Sequence, residues 1–431
     1  MTPNDLTCDT IVVGSGPGGA SVAKGLAEQG QKVAIVEMGD NQPLQGSFLQ
    51  MAKMAAIPGR GAFVHKDLSL VMRAITTGGS SVINFATAMP PPFERFQALG
   101  INLTEAYQLV QQQLPLAPLP DQLIGPMAQR IMDSALDLGL NWQKLDKFIK
   151  PEICRSQCHR CAYGCPHNAK WSARMWIDEA QSNGALLMDQ AKVERVLHKD
   201  GKAIGIEYRQ HGLQKKLYAK NVVLAAGGIG SPRILAQSGF DNVSKNYFVD
   251  PVIAVMGSVK KITGGNEIPM SAGLHLAEQG ITLSDLTLPR PLYQTFSLQA
   301  GRVHRLLSHE KALTVMVKIA DQSGGKIGPH WINKSLSEQD KNRLAVGYEM
   351  AHGILENSGA KGIFKTHHFA AHPGGSVGID KNVDSNLQTD IKGLYVCDAS
   401  ILPSPWGIAP SLTLLCLGAR LALHLGGGTV R

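Results

Sequence analysis

Three groups of residues in this chain of 431 residues have types and spacings that could do chemistry. Residues 14–19 read Gly-Ser-Gly-Pro-Gly-Gly, four cysteines lie within residues 154–165, and His372 begins a His-Pro-Gly-Gly-Ser segment. A glycine turn can admit a phosphate to the backbone, thiolates bind metal ions, and an imidazole exchanges a proton near neutral pH. The elements that surround each group decide which of these chemistries the fold can use.

The glycine run lies between segments that predict a dinucleotide-binding unit. Residues 10–13 are apolar and β-branched, residues 20–29 have a helical pattern, and residues 32–36 form a second apolar run. An acid, Glu37, follows that second run at once. Strand, glycine turn, helix, strand and acid in this order are typical of a nucleotide-binding βαβ unit.

Each residue of this unit has a physical role. Gly14 allows the tight turn, Gly16 lets a pyrophosphate approach the backbone, and Gly19 lets the helix pack closely on the strand. The helix N-terminus presents free N–H groups and a positive dipole end to the phosphates. Glu37 can accept hydrogen bonds from the ribose hydroxyls, and its charge would repel a 2′-phosphate.

Composition excludes several classes of protein. The chain is 44% hydrophobic and has no long low-complexity tract, which excludes intrinsic disorder, and its 46 glycines lack a collagen period. The net charge of +8 is spread along the chain, so we expect no nucleic-acid partner. The apolar residues 408–425 include Arg420 and His424, so no membrane span is expected, and seven cysteines without a signal peptide favour a cytoplasmic location.

The rest of the chain predicts further parts of the same domain. Residues 193–197, 203–209 and 217–219 resemble a small β-meander, and residues 221–226 predict a strand that enters a second glycine turn. Near the C-terminus, a strand at 393–397 ends at Asp398, and a Pro- and Gly-rich loop leads to a final helix that begins near Ser411.

Strands separated by long insertions predict a discontinuous nucleotide domain. We place a dinucleotide-binding, Rossmann-like domain, a parallel sheet with the meander, at residues 1–90, 186–254 and 371–431. The insertions, 91–185 and 255–370, predict an α+β substrate-binding domain, and the fold class is therefore α/β.

With these segments placed, the chain resembles the glucose–methanol–choline (GMC) family of flavin oxidoreductases. Four motifs carry the resemblance in order along nearly the whole chain: 14–19 with Glu37, 77–84, 224–232 and 372–413. Within the family, the sequence is most similar to the branch of long-chain alcohol oxidases and cysteine-containing bacterial dehydrogenases.

The resemblance implies FAD as the cofactor. The residues that it assigns to FAD binding are Gly14, Gly16, Gly19, Glu37, Gly78, Gly79, Ser80, Asn84, Val193, Asp398 and Pro410. The backbone of Val193 would meet the adenine, and Asp398 would lie near the ribityl and phosphate region. Pro410 would open the last helix, whose N-terminal end would face the flavin pyrimidine.

The resemblance also assigns His372 as the catalytic base, which takes the hydroxyl proton while hydride leaves carbon for flavin N5. The chain departs from the family at Ala409, where an Asn or His usually makes a second contact to the substrate oxygen. We therefore predict an FAD-dependent dehydrogenase that oxidises a CH–OH group of a small or lipid-like alcohol. Flavin-dependent desaturation or reduction of a C=C bond, or an electron-transfer flavoprotein subunit, are the alternatives.

The cysteine cluster Cys154, Cys158, Cys161 and Cys165 has three interpretations. Its last three cysteines resemble part of a bacterial ferredoxin run, so four thiolates could hold a [4Fe–4S] cluster that passes electrons to an external acceptor, such as a redox partner protein. Zinc would accept the same ligands, and a disulfide is also open. Alternatively, offsets of four, three and four residues would place four structural thiols on one helix face.

Overall fold

The computed structural model describes residues 7–427, and the bounds of its elements follow the patterns of apolar and turn residues. The α-helices within this range are α1 Pro17–Glu28, α2 Phe48–Ala55, α3 Phe93–Gln97, α4 Thr104–Gln111, α5 Pro126–Asp137, α6 Ala173–Ser182, α7 Gly227–Gln237, α8 Arg290–Gln299, α9 Glu338–Asn357 and α10 Ser411–Leu425. In this range, no helix is both long and apolar enough to cross a membrane.

The strands belong to two large sheets and two small two-stranded sheets. They are β1 Thr7–Val13, β2 Val33–Val36, β3 Ala62–Val64, β4 Leu70–Met72, β5 Leu116–Pro118, β6 Gln143–Lys144, β7 Asp146–Phe148, β8 Leu186–Met188, β9 Ala191–Lys199, β10 Lys202–Gln210, β11 Leu213–Leu224, β12 Pro251–Ser258, β13 Ala272–Leu276, β14 Ile281–Asp285, β15 Ala312–Ile319, β16 Lys326–Ile327, β17 Ile332–Asn333, β18 Lys361–Lys365, β19 Phe369–Ala370 and β20 Leu394–Val396.

The first sheet is the nucleotide-binding sheet. Its parallel strands lie in the order β8-β2-β1-β11-β20, and β9 and β10 extend β11 as an antiparallel meander. Because the chain leaves β1 toward one side and reaches β11 on the other, the strand order reverses between them. Ligands of open α/β sheets bind at such a switch point, outside the carboxyl ends of the strands.

The second sheet is largely antiparallel and forms the substrate side. Its order is β3-β4-β19-β12-β15-β14-β13-β6, with β18 also paired to β12. Helices α5 and α9 cover one face of this sheet, where Val315, Val317 and Leu355 belong to one apolar core. The opposite face carries a separate apolar cluster that includes Val252 and Met316. The predicted α/β fold with an inserted α+β part is confirmed.

Two details differ from the sequence analysis. The predicted strands 217–219 and 221–226 are one continuous strand, β11, because its two ends serve different partners: Leu213 pairs with β10, whereas Leu224 pairs with both β1 and β20. The boundary placed between residues 254 and 255 falls inside β12.

The N-terminal helix α1 packs on the C-terminal helix α10 at glycine contacts. Ser21 Oγ donates to the Leu415 carbonyl at 2.7 Å, and a Cβ at Gly418 would lie 2.6 Å from the Gly18 carbonyl oxygen. This approach fixes the N-terminus of α10 beside the glycine turn that begins α1, although nearly 400 residues separate them.

Candidate active site and family

The first glycine turn lies at the carboxyl end of β1 and starts α1. Gly14 has a φ of +100°, which glycine adopts without strain, and a Cβ there would collide with the Ala225 carbonyl after β11. A Cβ at Gly19 would collide with the Gly14 carbonyl, as expected for close packing of helix and strand. By contrast, a Cβ at Gly16 would meet no atom within 4 Å, so open space lies where the sequence predicts the pyrophosphate.

The second glycine motif lies directly against the first. Gly78 N–H donates to Ser15 Oγ at 3.0 Å, and a Cβ at Gly79 would lie 3.1 Å from Gly16 Cα. Ser80 Oγ accepts from Ala74 N–H and so holds this turn in place. The structure therefore brings the motifs at 14–19 and 77–84 together at the switch point.

Glu37 lies at the end of β2 and bonds to the same turn. Its Oε2 accepts from the Ser15 N–H at 3.0 Å and from the Ser15 hydroxyl, and its Oε1 accepts from Gly39 N–H at 2.7 Å. Burial raises the pKa of this carboxyl above its ordinary value. Val193 follows on β9, whose first residue Ala191 donates to the Glu37 carbonyl.

The later motifs converge on the other side of the switch point. Asp398, at the end of β20, accepts from Gly227 N–H and the Ser231 hydroxyl with one oxygen, and from the Ser400 N–H and hydroxyl with the other. A Cβ at Gly228 would collide with the Pro373 carbonyl. Asp398 therefore fixes the start of α7, and the close approach at Gly228 places that start against the segment that carries His372.

The start of α10 faces this assembly. Pro410 occupies the N-cap and α10 begins at Ser411, as the sequence predicts. Asn84 Nδ2 lies 3.3 Å from Ser411 Oγ, so the second glycine motif touches the helix start. Thr413 Oγ1 is buried and has no hydrogen-bond partner among residues 7–427.

His372 follows β19 and makes one side-chain hydrogen bond, to a residue that the sequence analysis missed. Its Nδ1 lies 3.0 Å from Oδ2 of Asp250, whose side chain is fully buried, whereas 23% of the His372 side chain is exposed. The other oxygen of Asp250 accepts from Gly407 N–H at 2.8 Å. Asp250 therefore ties His372 to the loop that precedes Ala409.

Electrostatics set the protonation of this pair. Burial and the nearby charge of Lys318 hold the pKa of His372 well below 6.5. Burial raises the pKa of Asp250 to about 7, opposed by Lys318. At neutral pH His372 is therefore uncharged, and an ionised Asp250 selects the tautomer with hydrogen on Nδ1 and a free lone pair on Nε2.

The cysteine segment is an irregular loop, so the interpretation of four thiols on one helix face is wrong. Only a short 3₁₀ helix, Arg160–Tyr163, forms there, because Gly164 has a φ of +82° and Pro166 follows. Cys154, Cys158, Cys161 and Cys165 are free thiols. No group of three or more His, Cys, Asp or Glu side chains within residues 7–427 is placed to hold a metal ion, so we derive no electron path through these cysteines.

A buried lysine joins this loop to the second glycine motif. Lys170 Nζ donates to the carbonyls of Val82, Asn84 and Cys161 at 2.7–2.9 Å, and to that of Ser81 at 3.1 Å. The cysteine loop is therefore held against the segment that the sequence predicts to run beside a flavin.

Comparison with known proteins agrees with this geometry. The family model described as GMC oxidoreductase matches residues 9–252, more than half of the chain. The chain belongs to the GMC oxidoreductase family. It is an FAD-dependent oxidoreductase, and the predicted family and the predicted FAD cofactor are confirmed.

The relatives span nearly all of this chain. A GMC-type oxidoreductase of Mycobacterium tuberculosis is 26% identical over 98% of this chain and 76% of its own length. A long-chain-alcohol oxidase of Arabidopsis thaliana (FAO1) is 24% identical over 97% of this chain and 67% of its own length.

Solved structures share the fold. A pyridoxine 4-oxidase from Mesorbium loti has a TM-score of 0.75 at 15% identity, covering 97% of this chain and 99% of the other. A formate oxidase has a TM-score of 0.77 at 15% identity, covering 98% of both chains.

The residues present fit FAD. The open space at Gly16, the acid at the end of β2 and the unpartnered hydroxyl of Thr413 at the start of α10 are features that a dinucleotide would use. We propose that FAD binds against the protein backbone at five glycines, which are Gly14, Gly16, Gly19, Gly78 and Gly79.

Proposed function

We propose that the protein oxidises a CH–OH group of a small-molecule alcohol, with His372 as the general base. The observation that carries this proposal is the 3.0 Å contact between His372 Nδ1 and the buried Asp250. FAD, when bound, supplies the chemistry that accepts hydride. The chain supplies a neutral imidazole whose Nε2 can take the hydroxyl proton.

The remaining site residues have proposed roles in holding FAD. Glu37 would bind the adenosine ribose, the backbone of Val193 the adenine, and Asn84 the edge of the flavin. Asp398 would act through the start of α7, because each of its oxygens already accepts two hydrogen bonds within the protein, whereas Oε1 of Glu37 accepts only one. Pro410 would direct the positive end of the α10 dipole toward the flavin.

A specific observation favours a second candidate function. Ala409 offers only a methyl group beside the loop that Asp250 holds, where the family usually has an Asn or His. Desaturation or reduction of a C=C bond beside a carbonyl would use the same flavin without that second contact. Alcohol oxidation is the better supported function because the long-chain-alcohol oxidases are relatives over nearly the whole chain.

An anaerobic substrate screen tests the proposal. Long- and short-chain alcohols, and saturated and unsaturated carbonyl compounds, are mixed with the holoenzyme while the visible absorption of oxidised flavin is followed. We expect bleaching by alcohols, and bleaching by saturated carbonyl compounds alone would favour desaturation. The variant His372→Ala should keep FAD and lose bleaching, whereas His367→Ala, on an exposed residue five positions earlier, should behave as the parent.

If His372→Ala turned over as fast as the parent, the chain would act as an electron-transfer subunit. The electron acceptor, the redox partner protein and the cytoplasmic location stay predictions.

The [4Fe–4S] cluster at Cys154, Cys158, Cys161 and Cys165 is supported by the spacing of the cysteines alone. Assays for iron and acid-labile sulfide on the purified protein test the cluster. If neither iron nor sulfide were found, the four cysteines would be structural thiols.

A further inference from the structure

Lys318 is the one charged residue of the largely apolar strand β15. The neighbours Val317 and Ile319 point to the core against α9, whereas Met316, two residues away, belongs to the cluster on the opposite face. Since strand residues alternate between faces, Lys318 lies on the face of Met316, away from α9.

The register of the sheet places Lys318 beneath the His372 site. It pairs with Val252 on β12, two residues after Asp250, and with Thr282 on β14. Paired residues of antiparallel strands share a face, and Thr282 Oγ1 donates to the Gly407 carbonyl at 3.2 Å. Lys318 therefore shares its face of the sheet with the residue that contacts the loop before Ala409.

The ammonium of Lys318 has no hydrogen-bonded partner in the part of the chain that the structure describes. Lys318 is only 3% exposed, and its Nζ keeps a little accessible surface but makes no hydrogen bond or ion pair within residues 7–427. Asp250 is the acid whose charge acts on it, but the two oxygens of Asp250 are bonded to Gly407 and His372. A buried cation without a bonded partner is costly, and an anionic ligand would relieve that cost.

We propose that Lys318 binds a carboxylate of the substrate, so that the alcohol oxidised is a hydroxy acid; this inference rests on the proposed function. The single charge of one ammonium matches that of a carboxylate monoanion. A phosphate dianion normally has several donors or an arginine fork. Burial lowers the pKa of Lys318 to about 8, so the ammonium form still predominates at neutral pH.

A second unpartnered donor lies on the same face. Ser284 follows Thr282 by two residues on β14, is fully buried, and its Oγ has no hydrogen-bond partner within the described range. Lys318 and Ser284 thus provide a charge and a hydroxyl on one side of the sheet, next to the residues that hold His372.

Binding of a carboxylate without turnover is the first test. Propanoate is titrated into the holoenzyme, with propanamide as the neutral probe of the same size, and the flavin absorption spectrum and melting temperature are followed. We expect propanoate, but not propanamide, to change the flavin spectrum and the melting temperature. Lys318→Met should weaken propanoate binding about 10- to 100-fold, as expected for loss of a charge-assisted hydrogen bond. Lys318→Arg should restore part of the binding.

Kinetics with matched substrates is the second test. Lys318→Met should lower the ratio of kcat/KM for ω- or α-hydroxy acids to kcat/KM for the corresponding neutral alcohols about 10- to 100-fold. The ratio is the readout because loss of the Lys318 charge also raises the pKa of Asp250 and so slows both kinds of substrate alike. Lys365→Met, on an exposed lysine of β18, is the control and should leave this ratio unchanged. Equal loss for acids and neutral alcohols, or equal binding of propanoate and propanamide by the parent, would overturn the proposal. Because probe binding needs no turnover, its failure is distinct from failure of alcohol oxidation.

Discussion

Oδ2 of Asp250 lies 3.0 Å from Nδ1 of His372, and 122 residues separate the two in the chain. The contact exists because residues 369–374 run antiparallel to residues 248–252: Val252 pairs with Phe369, and Phe248 bonds to Gly374. A carboxylate on Nδ1 fixes both the tautomer and the ring orientation, which leaves Nε2 as the basic atom. Asp250 is therefore a positioning residue for His372.

Asp250→Asn should slow flavin reduction by alcohol about 100-fold or more while FAD content stays the same. The amide can donate to Nδ1, which favours the tautomer with hydrogen on Nε2 and removes the base from the reacting side. Stopped-flow absorption under anaerobic conditions measures the rate. Asp250→Glu, which keeps an acceptor, should be the milder variant, and an undiminished rate in Asp250→Asn would exclude the positioning role.

The same pair predicts the pH dependence of flavin reduction. Burial raises the pKa of Asp250 to about 7, and the pKa of His372 is held well below 6.5. The carboxyl must be ionised to accept the Nδ1 hydrogen, so the rate is full above this value and falls as pH drops through about 7. In Asp250→Asn this acid limb should vanish, and a limb that stayed near pH 7 would assign it to another group.

The nucleotide-binding half could be predicted from sequence because its signals are local. The turn at Gly14, the strand before it, the helix after it and Glu37 all lie within about 30 residues, and Gly14 and Gly19 have steric reasons visible in the structure. Motifs at 77–84, 224–232 and 372–413 were also found as segments. These motifs lie together at one switch point because of the strand order of the sheet. That order can be predicted from the sequence only through the family resemblance.

The residues that complete the candidate site could not be predicted because they depend on sheet pairing. Asp250 reaches His372 only through the pairing of β12 with β19, and Lys318 lies beneath that site only through the register of β15 with β12 and β14. The sequence carries a signal at one of them, since Lys318 is the one charged residue in the largely apolar run 312–320. A lone lysine in a buried strand is a candidate for function.

Lys170→Met should destabilise the protein by about 3 kcal/mol or more, because it leaves the carbonyls of Val82, Asn84 and Cys161 buried without donors. FAD retention should fall as well, since these bonds hold the segment that follows Gly78. Urea unfolding of the holoenzyme and of the apoprotein separates the two effects. Lys53→Met, on an exposed lysine of α2, serves as the control, and equal stability of both variants would contradict the structural role of Lys170.

Gly16→Ala should block FAD binding without destabilising the apoprotein. A Cβ at Gly16 meets no protein atom within 4 Å, and its φ of −66° is accessible to alanine, so the fold accepts the substitution. The added methyl group would instead occupy the space that the pyrophosphate needs. We expect the free energy of unfolding of the apoprotein to change by no more than about 0.5 kcal/mol, and the FAD content after purification to fall at least severalfold.

The matched control for this variant is Gly353→Ala. Gly353 lies in the interior of α9, a Cβ there also meets no atom within 4 Å, and helix propensity should stabilise the variant by about 0.5–1 kcal/mol. Its FAD content should equal that of the parent, because α9 covers the face of the second sheet away from Lys318. If Gly16→Ala bound FAD as tightly as Gly353→Ala does, the pyrophosphate would lie elsewhere and the first glycine turn would be purely structural.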